Sequence, residues 1–254
     1  MSNKKEREKR REERVQQESK VDSKDRRARL LQFGAGAVFL VIVAVVVLII
    51  ASSGGGSGGD TKLEGTADVN KLLAGIPQHG LVLGKPKAPV EVIEYGDLQC
   101  PVCKAFSEEV LPQVMENQVK KGEAKLVFRN FTIIGPESTP AGAAALAAGE
   151  QERGWTYLEL FYRNQGEERS GYAEEKFFGS IAKGAGVKNI AKWEEESTNP
   201  KLIKEVEDTT AQANQIGFTG TPSFAIKGPS TNGTELLSNI SSSEQLEAEI
   251  KKAS

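Results

Sequence analysis

Metal-binding and cross-linking residues are scarce: among 254 residues there are two cysteines and one histidine. A structural zinc site takes four Cys or His ligands, and Cys100, Cys103 and His79 supply at most three, which argues against such a metal centre. Only two residues separate the cysteines, so a bridge between them closes no long loop and a disulfide scaffold is excluded. Positive charge is missing from most of the chain. Of the 33 basic and 35 acidic residues, 12 and 7 fall in residues 1–30, leaving +5 in the head and −7 in the body. A body of that sign argues against nucleic acid as a partner, which needs a basic face to neutralise phosphates. Internal repeats are also absent. The 38% hydrophobic and 27% charged fractions are those of a globular protein, with length for one sizeable domain plus accessories.

Residues 1–29 are almost entirely Lys, Arg, Glu, Gln, Asp and Ser, interrupted mainly by Val15 and Val21. Such a segment buries no core and is expected to be a solvated charged tail; a docking site for a cytosolic partner is the alternative. Residues 30–51 carry no charge, and 37–51 form an unbroken apolar run, AVFLVIVAVVVLIIA. At 1.5 Å per residue the 22 residues reach about 33 Å, enough to cross the hydrocarbon of a lipid bilayer. This predicts a transmembrane helix. A cleaved signal peptide is the rival reading, opposed by the long charged preamble and by an apolar run beyond the usual ~7–15 residues. No cysteine follows to carry a lipoprotein anchor. Arg26, Arg27 and Arg29 flank one side of the span and Asp60 is the first charge on the other. The positive-inside rule then places the amino terminus in the cytoplasm and everything after Ala51 outside it. Residues 52–59, SSGGGSGG, read as a flexible tether, and the lead-in up to residue 79 holds one weak helical stretch at 68–74.

The body, residues 80–254, reads as an α/β domain. Val90, Val92, Ile93 and Tyr95 predict a buried strand, and Pro101 opens a helix with Val102, Phe106, Val110 and Val114 at four-residue spacing. Pro112 inside that helix predicts a kink. Residues 125–131, KLVFRNF, predict a second strand, parallel to the first. A helical block then covers about 140–218, with segments at 141–151, 155–163, 174–184 and 202–216. Residues 223–227 form a short strand, Asn232-Gly233 turns into another at 235–239, and Ser242 or Ser243 caps a last helix running to Lys252.

Chemistry concentrates where the first strand meets its helix, at Cys100-Pro101-Val102-Cys103. Backbone N–H groups and the positive helix end stabilise a thiolate at Cys100 and make it a nucleophile near neutral pH. Cys103, one turn further in, is placed to attack a mixed disulfide formed at Cys100. The second element is Gly220-Thr221-Pro222 at the start of the penultimate strand, where a cis-proline would set a strand edge against the dithiol.

Three stretches carry a resemblance: PVEVIEYGDLQCPVCKAFSEEVLP, RNFTIIGPES leading into AGAAALAAGEQ, and GTPSFAIKG. Over residues 80–254 the chain resembles the thioredoxin superfamily, specifically DsbA-like thiol:disulfide oxidoreductases with an inserted all-helical subdomain. The resemblance implies that Cys100 is the exposed attacking cysteine, Cys103 the buried resolving one and Pro222 a cis-proline after Thr221. It implies a substrate surface made by Thr221, Pro222, Pro101 and Val102, bound by cysteine-containing polypeptides in extended form. Glu94, six residues before Cys100, falls where such proteins carry a buried glutamate that relays a proton for the resolving thiol. The resemblance also implies reoxidation by a quinone-linked membrane protein of the DsbB or vitamin K epoxide reductase type, and no metal or organic cofactor. The best-known DsbA has Pro-His between its cysteines, whereas this chain has Pro-Val, which removes a donor that stabilises the thiolate and predicts a weaker oxidant.

Each residue also has a plainer reading. Glu94 could be an exposed strand residue, Pro222 an ordinary trans turn proline, and the two cysteines inert thiols. Asp97 reads as a turn or cap residue rather than a catalyst, and His79 as a solvated loop residue. Trp155, Phe161, Tyr162, Phe177 and Phe178 read as core of the helical block, with a peptide groove as the other use. The sequons at Asn130, Asn232 and Asn239 occur often by chance. The favoured function is a membrane-anchored extracytoplasmic oxidase of secreted or envelope proteins. A tethered reductase or isomerase is the rival, and a non-catalytic peptide-binding module is the rival of another class.

Overall fold

The structure is a computed structural model that describes residues 63–254. The charged tail, the span expected at 30–51 and the tether at 52–59 lie outside the described residues. Among those described, no helix is long and apolar enough to cross a membrane.

Six strands form one sheet in the order β1-β2-β4-β3-β5-β6. They are β1 (Gln78–His79), β2 (Val82–Leu83), β3 (Val90–Gly96), β4 (Ala124–Asn130), β5 (Ser223–Lys227) and β6 (Glu235–Leu237). β3 and β4 run parallel, from Val90↔Ala124 to Gly96↔Asn130, while β5 lies antiparallel to β3 with Glu94↔Phe224 and Tyr95↔Ser223. β3 is buried along almost its whole length because helices cover both faces, which is why its sequence runs apolar instead of alternating. The last strand is shorter than expected, reached by a seven-residue connection in which Gly233 takes φ +82. Asn130 is 3% exposed, so its sequon is buried.

Nine α-helices surround the sheet among the described residues. α1 (Thr66–Leu72) lies in the lead-in; Val69, Leu73 and Ile76 around it are buried in the main core. With β1 also before Gly80, the folded body begins ahead of the expected boundary at that residue. His79 is exposed as expected, on a two-residue strand. The helix opened by Pro101 breaks instead of kinking: α2 (Pro101–Glu109) stops at Val110, and α3 (Leu111–Val114) restarts and runs into a π-helical turn, Met115–Val119. Pro112 has no N–H to give the preceding turn and sits in the first turn of α3, where none is needed.

The helical block comprises α4 (Ser138–Gly149), α5 (Gly154–Arg163), α6 (Glu175–Gly184), α7 (Ile190–Ser197) and α8 (Pro200–Ile216), followed after the sheet by α9 (Ser243–Ala253) with Ser242 as its cap. α4 is buried on nearly every side, since its alanines and glycines let α5, α7 and α8 pack closely around it. α7 was not expected; it has one buried side chain, Trp193, and begins where Asn189 accepts from Lys192 N. The aromatic residues are core: Trp155, Phe161, Tyr162 and Phe178 are at most 6% exposed, with Phe177 edge-on to Phe161 at 5.1 Å.

Candidate active site

β3 ends in a turn, residues 97–100, that hands the chain to α2. Asp97 organises it: fully buried, Oδ1 accepts from Gln99 N at 2.9 Å and Oδ2 from Ile133 N and Ile134 N at 2.8 and 3.0 Å. Burial pushes its carboxyl upward and those N–H groups oppose the push. One side chain thus ties the loop before Cys100 to the loop after β4, and the expected turn role is the one it has.

Cys100 stands at the N-cap of α2 in extended conformation, with Pro101 next. Because β5 runs antiparallel to β3, the start of β5 lies beside the end of β3, and Thr221-Pro222 comes against the sulfur. The Thr221–Pro222 peptide is cis. Cys100 Sγ is 3.4 Å from the Thr221 carbonyl oxygen, to which it donates while it is a protonated thiol. This packing corrects one expectation: Cys100 is 4% exposed, little more than Cys103 at 0%. The open surface is instead Pro101, Val102 at 60% exposure and Ile133 at 40%.

The two thiols, both free, differ in chemistry more than in burial. The Cys100 thiol is lowered from 9.0 to about 6, chiefly by a hydrogen bond with Cys103, then by the Thr221 side chain and the N–H groups of Cys103 and Val102, against the effect of burial. Cys103 is pushed well above 9.0 by burial first, then by its bond to Cys100 and the charge of Glu94. One sulfur is an anion at neutral pH and its neighbour keeps its proton.

Glu94 is 4% exposed, which removes the exposed-strand reading. Burial, then the charges of Glu159 and Cys100, raise its carboxyl to about 8. Gly96, two residues on and on the same face, leaves room for it: a Cβ there would stand 2.6 Å from the Phe128 ring and 3.3 Å from Glu94 Oε1. Glu159, Tyr162 and Gln165 were missed as site residues. Tyr162 Oη donates to Asp97 O at 3.4 Å, and Gln165 Nε2 donates to Leu98 O at 2.7 Å and Cys100 O at 3.2 Å. A carboxylate inside the apolar run of α5 was the available signal for Glu159. Among the described residues, no three His, Cys, Asp or Glu side chains are grouped to hold a metal.

A dithiol at a strand-to-helix junction, facing a cis-proline at the start of an antiparallel strand, can be set against known proteins. The family model described as thioredoxin matches residues 77–252. The chain belongs to the thioredoxin family. Among curated members, the probable disulfide bond formation protein D of Bacillus cereus is 33% identical over 153 residues, covering 59% of this chain and 71% of that protein. The disulfide bond formation protein D of Bacillus subtilis is 24% identical over 173 residues, 67% of this chain and 75% of that one. The crystal structure of oxidised BdbD from Bacillus subtilis aligns with a TM-score of 0.61 at 23% identity, over 70% of this chain and 96% of that one. At that identity it speaks for the shared fold. Within the thioredoxin family the chain is DsbA-like, an enzyme of thiol–disulfide exchange.

Proposed function

We propose that this DsbA-like thioredoxin-family enzyme is a membrane-anchored oxidase that introduces disulfides into secreted or envelope proteins through Cys100 and Cys103. The observation that carries the reading is the split between a Cys100 thiol at about 6 and a Cys103 thiol well above 9.0. A thiolate stable at neutral pH favours the dithiol form, and a protein whose dithiol is favoured passes its disulfide on. In the first step a substrate thiolate attacks Cys100 Sγ; the Cys100–Cys103 bond breaks, a substrate–Cys100 bond forms, and Cys103 leaves as a thiolate that takes a proton. A second substrate thiolate then attacks the substrate sulfur and expels Cys100, leaving the enzyme reduced by two electrons. A quinone-linked membrane protein of the DsbB or vitamin K epoxide reductase type is the oxidant that restores it.

Glu94 is the group proposed to exchange a proton with Cys103. Pro101, Val102, Thr221 and Pro222 form the surface on which an extended substrate strand lies, held through main-chain hydrogen bonds. Residues 30–51 supply the anchor, 1–29 a cytoplasmic tail and 52–59 the tether, and the catalytic body works outside the cytoplasm. The uncharged apolar run and the arginines before it support that arrangement. The Val102 side chain has no polar donor to add to its backbone N–H, which favours a second reading as a tethered reductase or isomerase.

The reduction potential of the Cys100/Cys103 pair in glutathione buffers separates the two. A value of about −190 to −120 mV supports the oxidase; a value near −270 mV, that of thioredoxin, supports the reductase.

A further inference from the structure

Behind the dithiol, three elements meet around two buried carboxyl groups, Glu94 on β3 and Glu159 on α5. They are 4% and 1% exposed. α2 contributes Ser107, one turn beyond Cys103 on the same helix face. Ser107 Oγ donates to Glu159 Oε1 at 3.0 Å. The other oxygen, Oε2, lies 4.0 Å from Arg163 Nη2, one turn along α5, and neither it nor Glu94 Oε1 accepts a hydrogen bond. The Arg163 side chain is 22% exposed and passes against Gly65, so the chain Ser107–Glu159–Arg163 runs from the helix that carries the dithiol to the protein surface. Two carboxylates shut away with so few donors cannot both ionise cheaply.

We infer that Glu159 is a positioning residue for the thiol chemistry, whose charge decides when Glu94 can take the proton of Cys103. The inference rests on Glu94 acting as that proton acceptor. The step it governs is ring closure on a mixed disulfide. The Cys103 proton passes to a Glu94 carboxylate oxygen, Cys103 Sγ attacks Cys100 Sγ and the Cys100–Cys103 bond forms. The bond from Cys100 to the partner sulfur breaks, and the partner leaves as a thiolate carrying the electron pair.

The electrostatics agree in sign. Glu159 is raised to about 7 by burial, opposed by Ser107 and Arg163 and assisted by Glu108. Its charge is second only to burial in raising Glu94. Cys100, Cys103 and Tyr162 also couple by charge to Glu94. An ionised Glu159 repels a second negative charge, so Glu94 holds its proton to higher pH; a neutral side chain in its place lets Glu94 ionise sooner.

The test uses the full chain, reduced and then mixed with oxidised glutathione, with the closure that ejects the second glutathione followed against pH. Glu159→Gln should move the midpoint of that profile acidward by at least about half a pH unit. The thiolate absorbance of Cys100 should keep its midpoint at about 6, and Glu159→Asp, which retains the charge, should restore the closure midpoint. An unmoved midpoint in Glu159→Gln overturns the inference. Should that variant not fold, Ser107→Ala removes a hydrogen bond that favours the ionised Glu159 and must shift the profile in the same direction; no shift there also overturns it. Glu94→Gln keeps the two readings apart. If it abolishes the ionisation while Glu159→Gln does nothing, the relay stands and this inference falls, whereas an unchanged profile in Glu94→Gln removes the relay itself.

Discussion

Replacing Cys103 with alanine removes the largest influence that holds the Cys100 thiol at about 6. The Thr221 side chain and the N–H groups of Cys103 and Val102 remain, and burial works against them. With its main opponent gone, burial should carry the Cys100 midpoint upward, toward the ordinary thiol value of 9.0. At pH 7 a thiol with a midpoint of about 6 is about nine-tenths ionised, and each unit of upward shift is about 1.4 kcal/mol between thiol and thiolate. Alkylation rate is a poor readout, because a more basic thiolate is a better nucleophile and each unit of upward shift recovers roughly threefold. The ultraviolet absorbance of the thiolate counts the ion directly. Wild type should show one thiolate appearing near 6 and no second below 9, since Cys103 is pushed above that value. A Cys103→Ala midpoint within about half a unit of wild type would sink this account and assign the low value to the helix terminus instead.

Two further outcomes concern the frame of the site. Asp97→Ala leaves the N–H groups of Gln99, Ile133 and Ile134 without their acceptor. It should cost about 2–4 kcal/mol in urea unfolding, and a loss under about 1 would contradict the role assigned to that carboxylate. Gly154→Ala sets a methyl into the Gly80 carbonyl, which is backbone and cannot step aside, whereas a methyl at Gly179 meets only Trp193 at 4.0 Å. The first should destabilise by about 1–3 kcal/mol or more and Gly179→Ala should stabilise by about 0.5–1; equal midpoints for the two variants would count against the packing described.

Legibility from sequence followed how local each cause was. The dithiol at the helix start, the strands on either side of α2 and the proline opening β5 rest on residues close together in the chain, and all three could be read. Burial of Cys100 could not, because it depends on Thr221, which the sheet brings from 121 residues away. Nor could the partners of Glu159: Ser107 lies 52 residues earlier, and only the packing of α2 on α5 makes them neighbours. α7 escaped because it is only eight residues long and carries two large apolar side chains, Ile190 and Trp193, too few to establish a helical period. Pro112 was recognised as a disruption, yet whether a proline bends a helix or divides it depends on whether the restarted turn can pack, and Leu111 and Val114 are both buried.

Tyr162 and Gln165 take hold of the carbonyls of Asp97, Leu98 and Cys100 in succession, so the nucleophile's own loop is splinted by the helical insertion. The insertion is therefore no detachable lid. A minimised version that joined β4 directly to β5 would keep the sheet, the dithiol and the proline, and would still lose the acceptor pairing of the peptide units leading into the nucleophile. Miniaturising this scaffold, or grafting its Cys-Pro-Val-Cys segment onto a bare thioredoxin core, would transplant the letters of the motif without the brace that fixes their spacing.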